Sequence, residues 1–254
     1  FIQHGMNFYS EAYTLTIAAL ADAGFRVITV DRIGYGKSSK PILPYSFNMV
    51  AANMKALLDK LGIEKTAIVG HSMGGMAVSR FAMMYPDTTT HVVMVNQIGL
   101  TDQRQSRPWI DPFVGGGATT YQSILRGHQR YFPLKWPPAH LEFVRRQYGQ
   151  TLGGDWPRLA QIRRLQGQML YDDPVVYDWQ HIATKALVIG GEEDGLVDDF
   201  PTLAHNVANQ LQNSAIILYP NVGHAPQIEI PDLFHKDLIR FLSSDADEPA
   251  SNWN

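Results

Sequence analysis

Short apolar runs alternate with amphipathic stretches along the first hundred residues of the chain. The predicted strands in this part are 25–30, 66–69 and 91–95, and the predicted helices are 13–23 and 47–61. Each helix stops at a glycine, Gly24 or Gly62, which is typical of helix C-termini. Strands separated by helices pair in parallel, so the pattern predicts a mostly parallel sheet with helices on both faces.

The alternation stops between about residues 101 and 180. This segment carries seven prolines (Pro112 among them), glycines 115–117 and four of the five tryptophans. Helical patterns appear near 139–149 and 157–171, and no strong strand pattern is present. We therefore predict that 101–180 is a helical cap inserted into the sheet domain.

The strand and helix pattern returns after the insertion. Strands are predicted at 186–190 and 215–219, and helices at 201–211 and 233–242. The sequence thus predicts an α/β fold whose core consists of 1–100 and 181–244. The polar, acidic residues 245–254 are expected to form a flexible tail.

The amino-acid composition excludes several classes of partner and of site chemistry. The chain has 254 residues, 45% of them hydrophobic, and a net charge of −3, so neither nucleic acid nor an anionic membrane is an expected partner. It has no cysteine, which excludes disulfides, a thiol nucleophile and thiolate metal sites. No apolar stretch approaches the ~18–20 residues of a membrane span. Nothing in the sequence indicates an oligomeric state.

A Gly-x-Ser-x-Gly sequence, Gly70-His71-Ser72-Met73-Gly74, lies between a predicted strand and a predicted helix. Such a tight turn strains the serine backbone and leaves no room for side chains at the two glycines. It exposes the serine oxygen at the mouth of the sheet. The next N–H, that of Met73, then lies at a helix N-terminus and can bind a developing oxyanion.

A base and an acid are expected after later strands, because parallel sheets gather ligand groups at the carboxyl ends of their strands. Of nine histidines, only His224 follows Ser72 in a loop after a predicted strand. An imidazole with its ordinary pKa near 6.5 suits a general base. Asp194 is the preferred acid and Asp198 the alternative; the acid would hold the imidazole tautomer.

The first residues of the chain are the candidate for a second oxyanion donor. Gly5 permits a turn after the predicted strand end, and the backbone N–H of Met6 can then point to the same place as that of Met73. Asn7 is a candidate to add a side-chain donor. Because Phe1-Ile2-Gln3-His4 resembles the end of a strand already begun, we expect a natural segment to precede it, and any signal peptide would lie there.

These motifs together resemble the α/β-hydrolase superfamily, in its branch of small bacterial serine hydrolases with a helical cap. Five segments carry the resemblance: His4-Gly5, DRIGYGKSS at 31–39, the turn at 70–75, the acid loop at 190–194 and Gly223-His224. The resemblance covers about 1–100 and 181–242. It implies that the backbone N–H groups of Met6 and Met73 form the oxyanion hole, and that the 31–39 loop is structural.

The resemblance also separates several chemistries. Haloalkane dehalogenases and epoxide hydrolases of this superfamily use aspartate where this chain has Ser72. The C–C hydrolases of ring-cleavage pathways usually have Asn before the serine and Trp after the histidine, whereas this chain has His71 and Ala225. Iminopeptidases carry acidic clusters in the cap, whereas 101–180 has ten Lys and Arg against seven Asp and Glu. Esterases, lactonases and perhydrolases share the predicted triad.

The expected activity is therefore hydrolysis of a small ester-like substrate by Ser72, His224 and Asp194, without a metal or an organic cofactor. A C–C hydrolase, a lactonase or a perhydrolase is the alternative within the fold, and a hydrolase-like receptor is the non-enzymatic one. Aromatic side chains of the cap are candidates either for a substrate pocket or for the cap's own core: Trp109, Tyr121, Tyr131, Phe132 and Trp136.

Overall fold

The computed structural model describes residues 1–111, 113 and 119–250. Within them lies one six-stranded sheet in the order β2-β1-β3-β4-β5-β6, with every neighbouring pair parallel. The predicted α/β fold class is confirmed. The strands are β1 (Ile2–Gln3), β2 (Thr29–Val30), β3 (Thr66–His71), β4 (Thr89–Val95), β5 (Lys185–Gly191) and β6 (Ser214–Tyr219).

Helices connect the strands and cover both faces of the sheet. They are α1 (Thr14–Asp22), α2 (Phe47–Lys60), α3 (Met73–Met84), α4 (Tyr121–Gln129), α5 (Leu141–Thr151), α6 (Trp156–Asp172), α7 (Phe200–Gln210), α8 (Pro226–Glu229) and α9 (Pro231–Leu242). One hydrophobic cluster packs α2, α3 and α7 on one face, and a second packs α1 and α9 on the other. The burial of both faces explains why the central strands are almost continuously apolar.

Helix α2 illustrates how the local sequence sets an element. The Ser46 side chain caps its first turn by accepting a hydrogen bond from Met49 N. Val50, Met54 and Leu58 recur every four residues and are buried against the core. The chain leaves the helix through Gly62, whose φ of 66° is the left-handed conformation that glycine adopts readily.

Strand β2 and helix α4 differ most from the sequence-based prediction. The strand predicted at 25–30 is reduced to Thr29–Val30, because β2 pairs only with the two-residue β1. Helix α4 was not predicted. It is short, with only Ile124 and His128 buried, and it is started by a capping box between Thr120 and Ser123.

The segment between β4 and β5 leaves the sheet and, in its described part, contains α4, α5 and α6. A buried ionic network ties its end to α3. Arg80 donates hydrogen bonds to Asp178 Oδ2 at 2.5 Å and to Asp173 Oδ1 at 2.8 Å. Arg80 and Asp178 are both less than a tenth exposed, so the pairing compensates for charges removed from water.

Part of the segment expected to be a flexible tail packs on the core. Lys185 Nζ donates to Asp245 O at 2.7 Å, and Ala250 is buried with its N–H bonded to Asn213 Oδ1. The remaining tail, 251–254, lies outside the described residues, as do Pro112 and glycines 115–117 of the predicted cap. Among the helices of the described ranges, none combines the length and the apolar character needed to cross a bilayer.

Candidate active site

The turn between β3 and α3 has the geometry that its glycines predict. Ser72 has φ 58° and ψ −124°, a strained conformation for a residue with a side chain. A Cβ at Gly70 would lie 2.2 Å from Gly74 O, and one at Gly74 would lie 2.2 Å from Gln3 O. The close approach of these backbones therefore requires glycine at both positions. Ser72 is 3% exposed.

The loop after β1 lies directly against this serine. A Cβ built on Gly5 would be 2.7 Å from Ser72 Cβ and 3.3 Å from Ser72 Oγ. Met6 follows Gly5 in this loop, and Met73 is the first residue of α3. The loop that carries Met6 thus lies beside Ser72, and Met73 directly follows the serine in the chain.

His4 fixes the conformation of this loop. Its Nε2 accepts a 2.9 Å hydrogen bond from Arg32 N, so the ring carries its proton on Nδ1, which donates to Gly5 O at 2.7 Å. Burial lowers the pKa of His4 to about 3, and the nearby Arg32 charge acts in the same direction. The ring is therefore neutral near pH 7, and its two hydrogen bonds hold Gly5 and Arg32 in fixed positions.

Asp194 and His224 come together after β5 and β6. Asp194 Oδ2 lies 2.6 Å from His224 Nδ1 and also accepts a 2.9 Å hydrogen bond from Asn96 Nδ2. The other oxygen, Oδ1, accepts from Leu196 N at 2.8 Å. Burial acts to raise the pKa of Asp194, but the charge of His224 and these hydrogen bonds hold it below its usual value. The carboxyl is therefore ionised near neutrality.

The second ring nitrogen of His224, Nε2, makes no hydrogen bond to the described residues, although it is buried. A bond between it and Ser72 Oγ, the last link of the predicted triad, is not formed in this conformation. The two loops are nevertheless joined, because His71, adjacent to Ser72, donates from Nε2 to His224 O at 2.8 Å.

His71 is a second structural histidine, and sequence reasoning assigned it no role. Since Nε2 donates to a carbonyl, Nδ1 must accept, and its partner is the hydroxyl of Tyr13 at 3.0 Å. Burial lowers the pKa of His71 to about 3, with the neighbouring His224 adding to the effect. His71 therefore stays uncharged beside His224.

The competing acids lie elsewhere. Asp198, the alternative to Asp194, is exposed, as is Glu193. Asp102 follows β4 but is paired with Arg104 at 2.7 Å and accepts a hydrogen bond from Tyr177. Among these acids, the structure places only Asp194 against His224.

The predicted pocket residues are scattered. Asn7 lies in the loop after Met6 and bonds to Tyr131 Oη at 2.9 Å and to Arg163 Nη2 at 2.7 Å. Trp109 is 55% exposed, and Tyr121 packs edge-on against Tyr148. Two others pack within the insertion rather than against Ser72, in a ring cluster around His140: Phe132 and Trp136.

Two residues of the site did not stand out in the sequence. Asn96 follows β4 with φ 37°, a left-handed position that asparagine tolerates, and this turn directs its amide to Asp194. Glu229 accepts hydrogen bonds from Gly223 N and Ala225 N and so fixes the loop on both sides of His224. Asn96 directly follows a strand, and Glu229 lies close to His224 in the sequence. These two positions were the signals by which the sequence could have indicated them.

Comparison with known proteins identifies the family. A family model described as the alpha/beta hydrolase fold matches residues 1–231. The chain therefore belongs to the α/β-hydrolase family, in agreement with its parallel sheet and its strand–serine–helix turn.

Relatives of this chain are hydrolases of several kinds. It is 37% identical to bifunctional epoxide hydrolase 2 of Sus scrofa over 97% of its own length but only 51% of that protein, so it spans about half of it. It is 27% identical to 2-hydroxy-6-oxo-6-phenylhexa-2,4-dienoate hydrolase of Burkholderia cepacia, covering 91% of this chain and 82% of the relative.

A solved structure shows the same architecture over nearly the whole chain. A probable hydrolytic enzyme from Pseudomonas aeruginosa PAO1 superposes with a TM-score of 0.91 at 33% identity. The superposition covers 96% of this chain and 84% of the other. A probable hydrolytic enzyme thus resembles this protein in both sequence and fold.

Proposed function

We propose that this protein is a serine hydrolase that cleaves small carboxylic esters through an acyl-enzyme. The observation that carries the proposal is the 2.6 Å contact between Asp194 and His224 Nδ1, which leaves the buried Nε2 unpartnered in the described part of the chain. An ionised carboxylate on one ring nitrogen fixes the tautomer in which the other can accept a proton.

The reaction begins at Ser72. Rotation of its side chain is required to bring Oγ to Nε2, a bond that forms when apo geometry tightens on substrate binding. His224 takes the hydroxyl proton while Oγ bonds to the carbonyl carbon. The oxyanion accepts hydrogen bonds from the N–H groups of Met6 and Met73, and the positive end of α3 adds stabilisation.

The intermediate then collapses to the acyl-enzyme. The C–O bond to the alcohol breaks, and the alcohol leaves with the proton held by His224. A water molecule, deprotonated by the same histidine, attacks the acyl group and releases Ser72 and the acid. The described insertion, over 119–180, carries Tyr131 and Arg163 to the Met6–Asn7 loop, which supports its role as a cap over the substrate.

Ester cleavage is preferred over the activity of the pig relative because residue 72 is a serine and not the aspartate expected of an epoxide hydrolase. The B. cepacia relative is a 2-hydroxy-6-oxo-6-phenylhexa-2,4-dienoate hydrolase, and a C–C hydrolase or a lactonase would use the same three side chains. A panel of p-nitrophenyl esters of graded chain length, lactones and a ring-cleavage dienoate separates these activities.

The central test is hydrolysis of p-nitrophenyl acetate by the wild type and by Ser72→Ala. We expect kcat to fall by ~10³-fold or more in Ser72→Ala. Ser243→Ala is the matched control, because Ser243 is exposed where α9 ends and lies outside the turn. Equal rates in wild type and Ser72→Ala would refute the proposal and favour a binding protein with a hydrolase fold.

A further inference from the structure

One residue of the insertion contacts both halves of the proposed site. Tyr131 O accepts a 2.9 Å hydrogen bond from His224 N, and its ring stacks on the imidazole, with centroids 5.5 Å apart and planes at 27°. Its hydroxyl accepts a 2.9 Å hydrogen bond from Asn7 Nδ2. Tyr131 therefore spans from the histidine loop to the loop that carries Met6.

The hydroxyl end holds a left-handed backbone. Asn7 has φ 65°, a conformation that asparagine tolerates better than most residues with a side chain, and it directly follows Met6. Its amide is fixed on both sides, because Nδ2 donates to Tyr131 and Oδ1 accepts from Arg163 at 2.7 Å. Because Asn7 directly follows Met6, releasing one of these bonds loosens the loop that presents the N–H of Met6.

The ring end faces the group that becomes charged. A cation over or beside an aromatic face is stabilised by the ring quadrupole, more strongly when both are desolvated. His224 is fully buried and Tyr131 nearly so. The stacked ring therefore favours the imidazolium that forms when His224 takes the serine proton, relative to the neutral imidazole.

The other titratable groups around the imidazole are Asp194 after β5, His71 in β3 and Glu229 in α8. Asp194 is ionised and His71 neutral near pH 7, for the reasons given above. Burial raises the pKa of Glu229, and two backbone N–H bonds oppose that rise. Burial also raises the pKa of Tyr131, so its hydroxyl stays protonated over the pH range of an assay.

We propose that Tyr131 is a positioning residue with two separable actions. Its hydroxyl fixes the conformation of the loop that carries Met6, through Asn7, and its ring stabilises the protonated form of His224. The role rests on the proposed function, since both actions concern steps of ester hydrolysis. Because Tyr131 belongs to the insertion, the insertion must pack over the sheet for the site to be competent.

Two substitutions separate the actions. Tyr131→Phe removes the hydroxyl and keeps the ring, and we expect kcat to fall about tenfold with KM nearly unchanged and the pH–rate profile unmoved. Tyr131→Leu removes the ring as well, and we expect the midpoint of the acid limb of the profile to move down by about half to one pH unit. Phe132→Leu is the control, because Phe132 is an equally buried neighbour that has no ring contact with His224.

An unchanged kcat in Tyr131→Phe overturns the action of the hydroxyl. An acid limb that stays in place in Tyr131→Leu, or moves equally in Phe132→Leu, overturns the action of the ring. The imidazole can also be titrated by NMR in Ser72→Ala with and without Tyr131→Leu, its signal assigned by loss in His224→Gln. That titration needs no turnover, so it tests the ring even if the proposed ester hydrolysis fails.

Discussion

The side-chain amide of Asn96 donates a 2.9 Å hydrogen bond to Asp194 Oδ2, the same oxygen that contacts His224. Asn96 Oδ1 in turn accepts from Gly191 N at 2.9 Å, so the amide joins the end of β5 to the acid. The carboxylate is therefore held from β4 as well as from its own loop. Its orientation toward the imidazole depends on a residue 98 positions earlier in the chain.

Removing this support is expected to reduce activity without abolishing it. Asn96→Gly keeps the left-handed backbone available and deletes the amide, and we expect kcat to fall about tenfold, equivalent to ~1.4 kcal/mol. The measurement is steady-state hydrolysis of p-nitrophenyl acetate. Asn221→Gly is the control, because Asn221 is also left-handed, with φ 59°, and is exposed in the loop after β6. Equal losses in both variants would show that the amide contact is irrelevant.

The turn at Ser72 should not tolerate an added methyl group. Gly74→Ala places a Cβ within 2.2 Å of Gln3 O, and the rigid backbone of β1 cannot yield as a side chain would. We expect a loss of about 3 kcal/mol in the free energy of unfolding, measured by urea denaturation, together with loss of activity.

The control for this substitution is Gly149→Ala in α5. A Cβ at Gly149 would meet open space, and alanine favours a helix over glycine by roughly 0.5–1 kcal/mol. The two glycine-to-alanine changes are thus expected to have opposite signs. A stable, active Gly74→Ala protein would contradict the steric account of the turn.

Buried neutral histidines should make the protein sensitive to acid. The pKa values of His4, His71 and His140 are each lowered to about 3, chiefly by burial. The unfolded chain binds protons on these rings below about pH 6.5 while the folded protein does not. Their contribution to stability is therefore present above pH 6.5 and is lost progressively as the pH falls toward 3.

We expect the free energy of unfolding to decrease with falling pH by up to ~1.4 kcal/mol per pH unit for each such histidine. His140→Gln should reduce this slope by about one proton, measured by urea denaturation at several pH values between 5 and 7.5. His205→Gln, at an exposed position in α7, is the control and should leave the slope unchanged. If the free energy of unfolding of His140→Gln depended on pH as steeply as that of the wild type, the lowered pKa of His140 would be contradicted.

Much of the core could be predicted from the sequence because its signals are local. The periodicity located α2, β3 and β5 to within two residues, and the glycines around Ser72 reflect a backbone contact that no other residue permits. The spacing of strands and helices was sufficient for a parallel sheet. By contrast, the extent of β2 depends on the length of its partner strand, which its own sequence does not encode.

Contacts between the insertion and the sheet were harder to predict from the sequence. The stacking of Tyr131 on His224 depends on how α4 and the following turn pack against the sheet, and α4 itself has few buried positions. Tyr131 was one of several aromatic candidates, and nothing in its neighbours distinguished it from Phe132. Likewise, the sequence favoured Asp194 but left Asp198 as the alternative, because it does not show which of the two nearby carboxylates is buried.

The insertion departs from β4 and returns on β5, and these two strands are direct partners in the sheet. Because the two strands are parallel, with Val95 beside Ile189 and His91 beside Lys185, its two ends lie at opposite edges of the sheet. Any segment exchanged between relatives must therefore run back along the whole length of a strand, which sets a minimum length for the exchange. By the proposal made for Tyr131, it must also supply a ring against the imidazole and a hydroxyl bonded to Asn7.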